Sequence, residues 1–337
     1  MKTYGILLIG CGKIGMEHLD GIYYKDDVNI VAVIDTDIKK AREAAKRSGA
    51  QHYGTDYKPY LKMDEVDIVI IATYVDSHLE ILNDCLAHGK HVLCEKPIAS
   101  TFEQGQKFVD AVKASDCKVL VAHILRYNAS YQLIKKLIAD GEIGDVKVIR
   151  MAQNHHALDW PRYQRLMQDC SPTVDCGVHY YDVAEWLTGD RIVEVTGFGT
   201  KTQSDAPCEN FTLVTYKMKN GCAGYYEVSW GETVRSYNLK EFIGTKGRIT
   251  LDMRDRRVQD TEEGDLITLY RADTQSYHTY NVKALYKDMY AQLKALIAMI
   301  EGKQVEAPSI DDVWRALRIA LTANKSIQNG KTEIIPE

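Results

Sequence analysis

The feature that most constrains the fold is an apolar segment that runs directly into a glycine-rich turn near the N-terminus. Residues 4–10, YGILLIG, show no alternation of apolar and polar side chains, which is typical of a strand buried on both faces of a parallel sheet. The segment continues into GCGKIG, a G-x-G-x-x-G motif at the start of a helical pattern. In such a motif Gly10 allows the tight turn, Gly12 lets a pyrophosphate approach the helix N-terminus, and Gly15 allows close helix-to-strand packing. The motif alone is a weak signal, and its position after a strand favours a dinucleotide-binding fold.

A second apolar segment, NIVAVID, ends in an acidic residue, Asp35, about 20 residues after Gly15. A carboxylate at this position accepts hydrogen bonds from the adenosine ribose hydroxyls and repels a 2′-phosphate, so it favours NAD. Lys39 and Lys40 lie close enough in the sequence to leave NADP open. Asp35 can also serve as the N-cap of the following helix, and the two roles are compatible.

The alternation of apolar strands and helices continues as far as residue 122. It comprises the strand DIVIIAT at 67–73, a helix with a capping box at Ser77 and Glu80 that stops near Gly89, the strand HVLC at 91–94, a helix from Ser100 to about Ser115 with a capping box at Ser100 and Glu103, and the strand KVLVA at 118–122. Strands alternating with helices of this length predict an α/β fold with a doubly wound parallel sheet.

Three polar residues lie at the predicted carboxyl ends of these strands. Thr73 ends one strand, and Glu95 and Lys96 follow the next. Ligands of doubly wound sheets bind at this edge, so Lys96 is expected to face the same crevice as the cofactor. The alternative is that Lys96 is a solvated charge in a loop.

From about residue 145 the pattern changes to strands of alternating polarity. These are DVKVIRMAQ, RIVEVTGFG, NFTLVTYKM, AGYYEVSW, LKEFIG and GRITLD. Asn220-Gly221 predicts a two-residue hairpin, and GTKG at 244–247 predicts a second turn. The second half is therefore expected to form a large, mostly antiparallel sheet, with one face on a core and the other against water or a second subunit. A closing helix is predicted from Ser309 to Asn329.

One predicted helix in this half, SPTVDCGVHYYDVAEWLTG at 171–189, carries a polar stripe. Ser171 can cap it, Pro172 suits its first turn and Gly189 can end it. At about 100° per residue, the stripe contains Asp175, His179, Asp182 and Trp186. The stripe is either a solvated face with a weak ion pair, or an acid/base pair in which the carboxylate orients the imidazole.

Length and charge limit the classes of protein to which this chain can belong. At 337 residues it is expected to form two domains, with the boundary at 124/125. A net charge of −5 and a pI near 6.1 provide no basic field for nucleic acid. No apolar run approaches the ~20 residues of a membrane span, and the N-terminal run lacks a signal-peptide cleavage pattern, so a cytoplasmic location is expected.

Several of these segments together resemble the Gfo/Idh/MocA family of NAD(P)-dependent oxidoreductases, which includes inositol and glucose-fructose oxidoreductases. The resemblance covers nearly the whole chain and is carried by GCGKIG, IATYVDSH, AHGKHVLCEKP, LRYNASYQLIKKLIADGEIGDV and VDCGVHYYD. The most specific pieces are Glu95-Lys96-Pro97 and Asp175-x-Gly-x-His179-x-x-Asp182. The chain departs from the family pattern at Tyr74, where proline is usual, and at SPTV before Asp175, and both departures bear on the substrate.

The resemblance implies a Rossmann domain over 1–124 and a substrate-binding and oligomerisation α+β domain over 125–337. It also implies pairing of the sheet face with a second copy, as a homodimer or homotetramer. The residues expected at the cofactor are Gly10, Gly12, Lys13, Ile14, Gly15, Asp35, Thr73, His78, Glu95 and Lys96. Those expected at the substrate are Lys96, Arg126, His155, Trp160, Arg162, Tyr163, Asp175 and His179. For the four from His155 to Tyr163, an ordinary surface loop is an equally good interpretation.

The function that the resemblance implies is hydride transfer between NAD(P) and a secondary alcohol of a sugar, polyol or inositol-type substrate. Such a reaction also requires a group that takes the hydroxyl proton. We interpret His179 as the general acid/base, Asp175 as the group that orients it or holds a substrate hydroxyl, and Lys96 as the cation that stabilises developing alkoxide charge.

Other functions remain open at the level of the sequence. The chain could be a catalytically inactive NAD(P)-binding regulator of the same fold, or an enzyme that reduces C=N or C=C bonds or cleaves glycosides. Zinc-type ligands occur at Cys170, Cys176, His155, His156 and His179, but their spacing matches no tight ligand knuckle. Because hydride transfer needs no metal, none is expected.

Overall fold

The chain forms two compact units. The computed structural model describes residues 2–253, 264–283, 285 and 287–336. The first unit comprises Met1–Ile124 and Asp288–Trp314, and the second comprises Leu125–Lys287 and Arg315–Glu337. The chain thus leaves the first unit after residue 124, and the segment 288–314 returns to it.

The first unit is built on a six-stranded parallel sheet. Its strands are β1 (Tyr4–Ile9), β2 (Val28–Ile34), β3 (His52–Gly54), β4 (Ile68–Ile71), β5 (His91–Cys94) and β6 (Val119–Val121). Their order is β3-β2-β1-β4-β5-β6, which is the strand order of dinucleotide-binding folds. Every residue of β1 and β4 is buried, which explains why neither strand alternates in polarity. The predicted parallel sheet is confirmed.

Four helices connect these strands: α1 (Lys13–Ile22), α2 (Ile38–Ser48), α3 (His78–Ala87) and α4 (Phe102–Lys113). Both predicted capping boxes are wrong. Thr101, not Ser100, caps α4 by accepting a hydrogen bond from the Gln104 N–H. A short 3₁₀ turn precedes α3, and there the Ser77 hydroxyl donates to the Tyr74 carbonyl and does not cap the helix.

The second unit contains a nine-stranded sheet. Its strands are β7 (Val146–His156), β8 (Ile192–Thr200), β9 (Phe211–Met218), β10 (Ala223–Gly231), β11 (Tyr237–Gly244), β12 (Gly247–Asp252), β13 (Asp265–Arg271), β14 (Ser276–Val282) and β15 (Glu333–Ile334). Their order is β14-β13-β12-β11-β7-β10-β9-β8-β15, and only the β7–β10 pair among these is parallel. The predicted antiparallel sheet is confirmed, including the turn at Gly221, whose φ is +82°. Strands β13, β14 and β15 were not predicted from the sequence.

Helices of the second unit pack on one face of this sheet. They are α5 (Ala129–Ala139), α6 (Trp160–Asp169), α7 (Pro172–Asp175) and α8 (Gly177–Thr188). The Tyr180 ring on α8 stacks on the Tyr226 ring of β10, with the centroids 4.7 Å apart. Alternate residues of the strands, such as Val214 and Tyr216 of β9, are buried on this face, so the α/sheet interface is the core of the unit.

Two helices lie between β14 and β15, α9 (Met289–Ile300) and α10 (Ile310–Asn329). The latter matches the predicted closing helix. Helix α9 belongs to the first unit, because it packs against α1 and the Tyr290 hydroxyl donates to Asp27 at 2.7 Å. A single domain over 125–337 therefore differs from the observed division of the chain. Among the described residues, no helix is long and apolar enough to cross a membrane.

Candidate functional site

The glycine-rich segment forms the turn from β1 into α1, and its three glycines have different surroundings. Gly10 has a φ of +95°, and a Cβ on it would lie 2.6 Å from the Ala72 carbonyl oxygen. A Cβ on Gly15 would lie only 1.8 Å from the Gly10 carbonyl oxygen. A Cβ on Gly12, in contrast, would have no atom of the described chain within 4 Å. Packing therefore requires the first and third glycines, whereas the second leaves open space at the helix start.

The N-terminus of α1 is suited to an anion. Lys13 and Ile14 are its first residues, and no side chain at the Gly12 N-cap bonds to the helix. The first backbone N–H groups of a helix have no intrahelical acceptor, and together with the helix dipole they favour a phosphate group. These residues fit a dinucleotide pyrophosphate.

Asp35, at the end of β2, is fixed beside the glycine loop. One carboxylate oxygen accepts the Cys11 N–H at 2.8 Å, and the other accepts the Asp37 N–H at 2.9 Å. The alternative role of Asp35 as N-cap is wrong, because Asp37 caps α2 by accepting the Lys39 N–H. The half-buried Asp35 carboxylate is therefore held at the glycine loop by backbone hydrogen bonds.

Three predicted site residues lie at the carboxyl ends of two neighbouring strands. Thr73 follows β4, and Glu95 and Lys96 follow β5. The Thr73 hydroxyl oxygen lies 2.8 Å from the Ser77 hydroxyl oxygen. The Lys96 N–H donates to the Glu95 carboxylate at 3.3 Å, and the Lys96 side chain is half-buried. The placement of these residues at one sheet edge agrees with the prediction.

His18 on α1 also lies in this region and was not predicted from the sequence. It is fully buried, and its Nε2 lies 2.7 Å from a carboxylate oxygen of Glu95. An ionised carboxylate only accepts hydrogen bonds, so Nε2 is the donor. The available signal was a histidine on the apolar face that also includes Leu19 and Ile22.

His78, predicted to bind the cofactor, is the first residue of α3 and is buried. Its Nδ1 lies 3.0 Å from the Pro97 carbonyl oxygen, and its Nε2 lies 3.2 Å from the Thr73 carbonyl oxygen. Burial lowers the pKa of this histidine, and a neutral imidazole has a single N–H to donate. The ring therefore contacts backbone from both segments that carry the strand-end residues.

In the second unit, the predicted helix over 171–189 is divided into α7 and α8 at Cys176. Ser171 caps α7 and Gly189 ends α8 with a φ of +67°, as predicted. At the junction the His179 N–H donates to the carbonyl of Cys176, which is three residues earlier, not four as in an α-helix. A Cβ on Gly177 would lie 2.8 Å from the Tyr181 ring. Asp175 ends the first piece and His179 lies in the first turn of the second, and both are half-buried.

The rest of the predicted polar stripe is not a solvated face. Asp182 is 4% exposed and receives two hydrogen bonds from Arg126, from Nε at 2.9 Å and from Nη2 at 2.6 Å. The Arg126 guanidinium and the Lys135 ammonium also lie over the Trp186 ring. This buried bidentate pair fixes α8 relative to the segment that precedes α5.

The remaining predicted substrate residues lie on two elements. His155 lies at the end of β7, whereas Trp160, Arg162 and Tyr163 lie on α6 and are therefore helical, not in a loop. The His155 Nδ1 lies 3.3 Å from the Tyr163 hydroxyl, and the Tyr163 ring contacts that of Trp230 edge to face. Arg162 lies over the Tyr163 ring. Trp160 is 7% exposed, and its indole N–H donates to Asp205 at 2.9 Å.

A second residue missed from the sequence is Lys240 on the core face of β11. It is fully buried, its Nζ donates to the Ala152 carbonyl at 2.9 Å and to the Asn238 side chain, and it lies 4.4 Å from the centroid of the Tyr180 ring. Burial lowers its pKa well below the usual value. The strand alternation that places Lys240 on the same face as Phe242 was the available signal.

The cofactor-side residues thus lie in the first unit, and those from Arg126 to His179 lie in the second. Across the described ranges, no group of three or more His, Cys, Asp or Glu side chains is placed to hold a metal ion.

Comparison with known proteins gives consistent results for the two halves of the chain. Residues 4–123 match a family model described as an oxidoreductase family with an NAD-binding Rossmann fold, and residues 131–250 match the GFO/IDH/MocA C-terminal domain. The chain is 25% identical over 337 residues to the myo-inositol 2-dehydrogenase of Thermotoga maritima, covering 98% of each protein.

Solved structures share the fold of the whole chain. A putative NADPH-dependent oxidoreductase from Desulfitobacterium hafniense has a TM-score of 0.86 at 20% identity, covering 99% of this chain and 98% of that one. The scyllo-inositol dehydrogenase of Lactobacillus casei, with bound NAD(H) and scyllo-inositol, has a TM-score of 0.81 at 20% identity, covering 99% of each chain. With both family domains matched in order along the sequence, this chain belongs to the Gfo/Idh/MocA family of oxidoreductases and carries its NAD-binding Rossmann domain.

Proposed function

We propose that this protein is an NAD-dependent dehydrogenase that acts on a secondary alcohol of an inositol, another polyol or a sugar. The observation that carries the proposal is the position of Lys96 at the carboxyl edge of a parallel sheet, two strands from the glycine loop. The inositol dehydrogenases among the similar proteins support the substrate class.

The site residues divide the chemistry between them. Bound NAD supplies the hydride acceptor, and the open space at Gly12 and the Lys13 and Ile14 N–H groups fit its pyrophosphate. His179 takes the proton from the substrate hydroxyl as the C–H bond breaks, and Asp175 orients the imidazole or holds a neighbouring hydroxyl. The Lys96 ammonium stabilises the negative charge that develops on the oxygen.

Substrate specificity is assigned to the second unit. We propose that His155, Arg162 and Tyr163 contact the remaining hydroxyl groups, because each presents a half-buried polar group at the end of β7 or on α6. The polar groups of Arg126 and Trp160 are engaged by Asp182 and Asp205, so these two support the substrate side mainly by holding its helices in place.

We further propose that the protein is a cytoplasmic homodimer or homotetramer. The sheet face opposite the helices carries exposed aromatic side chains, including Phe198 at 62%, Tyr237 at 51% and Tyr277 at 60% exposure. Large apolar side chains on one open sheet face favour association with a second copy. Light scattering at low micromolar concentration should show no dominant 38.1 kDa species, and a monodisperse monomer would contradict the proposal.

The activity is tested with a panel of inositols, polyols and sugars and NAD, followed by the absorbance of NADH. Turnover of at least one member with stoichiometric NADH formation supports the proposal. Cofactor binding without turnover on the panel would favour a regulator, and release of a sugar without net NADH would favour glycoside cleavage.

A further inference from the structure

Two buried histidines contact the residues on either side of Lys96. On one side, the His18 Nε2 donates to Glu95 at 2.7 Å, and the Glu95 side chain is only 13% exposed. On the other side, the His78 Nδ1 lies 3.0 Å from the Pro97 carbonyl oxygen. The two histidines come from different helices, α1 and α3, so the three-residue segment is held from two directions.

Both contacts are well shielded from water. His18 and His78 are 0% and 1% exposed, and a hydrogen bond between buried groups is stronger and more costly to lose than one at the surface. The lysine ammonium is carried on four flexible methylene groups, so the position of the backbone limits where the ammonium can reach.

We propose that His18 and His78 are positioning residues that hold the Lys96 backbone so that its ammonium reaches the reacting oxygen. This inference rests on the function proposed for Lys96. Neither histidine transfers a proton in the reaction. His18 acts through the Glu95 carboxylate, and His78 acts through the Pro97 carbonyl.

The two contacts use different ring nitrogens, which gives a test with internal controls. The amide nitrogen of glutamine can occupy the place of a histidine Nε2, and that of asparagine the place of Nδ1. At position 18, His18→Gln should therefore retain more activity than His18→Asn, and at position 78 the order should be reversed, with His78→Asn above His78→Gln.

The measured quantities are kcat, cofactor affinity and thermal stability with a polyol that the wild-type enzyme oxidises. His18→Ala should lower kcat by about tenfold or more, because small displacements of a catalytic group are costly. At each position, the difference in kcat between the glutamine and asparagine variants should be larger than their difference in melting temperature can explain. His91→Gln, at the opposite end of β5, is the control and should keep the wild-type kcat.

A second readout does not depend on activity. The rate at which an amine-reactive reagent modifies Lys96, followed by peptide mass spectrometry on the folded protein without cofactor, should rise in His18→Ala and His78→Ala. Modification of Lys118, on the same unit but away from this segment, should not change. If wild-type protein oxidises no polyol but these labelling rates rise, the proposed function fails and the positioning role stands. Equal kcat for the two amide variants at each position, or unchanged Lys96 labelling, would overturn the positioning role.

Discussion

The candidate site residues of the two units are held in place in different ways. In the first unit, the glycine loop and the strand-end residues Thr73, Glu95 and Lys96 follow short segments whose backbone path is set by the parallel sheet. In the second unit, Arg126 and Asp182 are 56 positions apart, and side-chain packing brings them together. A site made by backbone geometry is therefore visible in a motif, whereas one made by side-chain pairing is visible only in the fold.

The largest expected effect is a difference in stability between substitutions at two glycines of the same loop. Gly15→Ala should destabilise the first unit by more than about 4 kcal/mol, because its Cβ would overlap the Gly10 carbonyl. Gly12→Ala should leave the melting temperature unchanged and weaken NAD binding, because its Cβ meets open space where a pyrophosphate would lie. Calorimetry and nucleotide titration measure the two effects. Equal loss of stability in both variants would contradict a backbone-built cofactor site.

The matching test in the second unit removes one partner of a buried ion pair. Arg126→Ala should lower the free energy of unfolding by about 3–5 kcal/mol, because the buried Asp182 carboxylate loses both hydrogen bonds. Lys135→Ala, which removes the other cation over the same Trp186 ring, is the control and should cost far less. Urea unfolding gives both values, and a loss below about 1 kcal/mol for Arg126→Ala would show that packing alone holds α8.

The pH dependence of stability distinguishes the buried Lys240 from ordinary lysines. Burial lowers its pKa in the folded state, so between that value and the usual 10.5 the unfolded chain binds more protons than the folded one. Its contribution to the free energy of unfolding should therefore increase with pH in this interval, by up to about 1.4 kcal/mol per pH unit. Lys240→Met should lack this increase when stabilities are compared from neutral to alkaline pH. Parallel curves for both proteins would mean that Lys240 is charged in the folded state.

The smallest predicted effect concerns cofactor choice in the first unit. Because the Asp35 carboxylate is fixed beside the loop, NAD should bind at least about tenfold more tightly than NADP, or about 1.4 kcal/mol. Asp35→Ala should reduce this ratio. Titration with both nucleotides decides the matter, and an unchanged ratio would remove Asp35 from the specificity determinants.

Sequence patterns were sufficient for several local features, although not for the helix caps predicted at Ser77 and Ser100. The glycine loop, the buried parallel strands and the hairpin at Gly221 follow from residue type and spacing. The His18 contact to Glu95 joins residues 77 positions apart, and no local rule connects them. Helix α9 likewise packs in the first unit, and an amphipathic helix pattern does not predict which unit a helix packs against. The division of the helix at Cys176 was not predicted either, and the Tyr181 ring lies against Gly177, directly after it.

We propose above all that Lys96 and His179 act on the same substrate oxygen. Lys96→Ala and His179→Ala should each lower kcat by roughly 10² or more, with cofactor affinity changed by less than about 1 kcal/mol. The rate of alcohol oxidation by the wild-type enzyme should rise with pH through a histidine titration that is absent from His179→Ala.

The most direct measurement is the double-mutant cycle on kcat with a working polyol substrate. Because both residues would act on one oxygen, the Lys96→Ala/His179→Ala enzyme should lose much less than the product of the single losses. Losses that multiply fully would show that the two residues act independently, and a single variant with wild-type kcat would return that residue to a structural role.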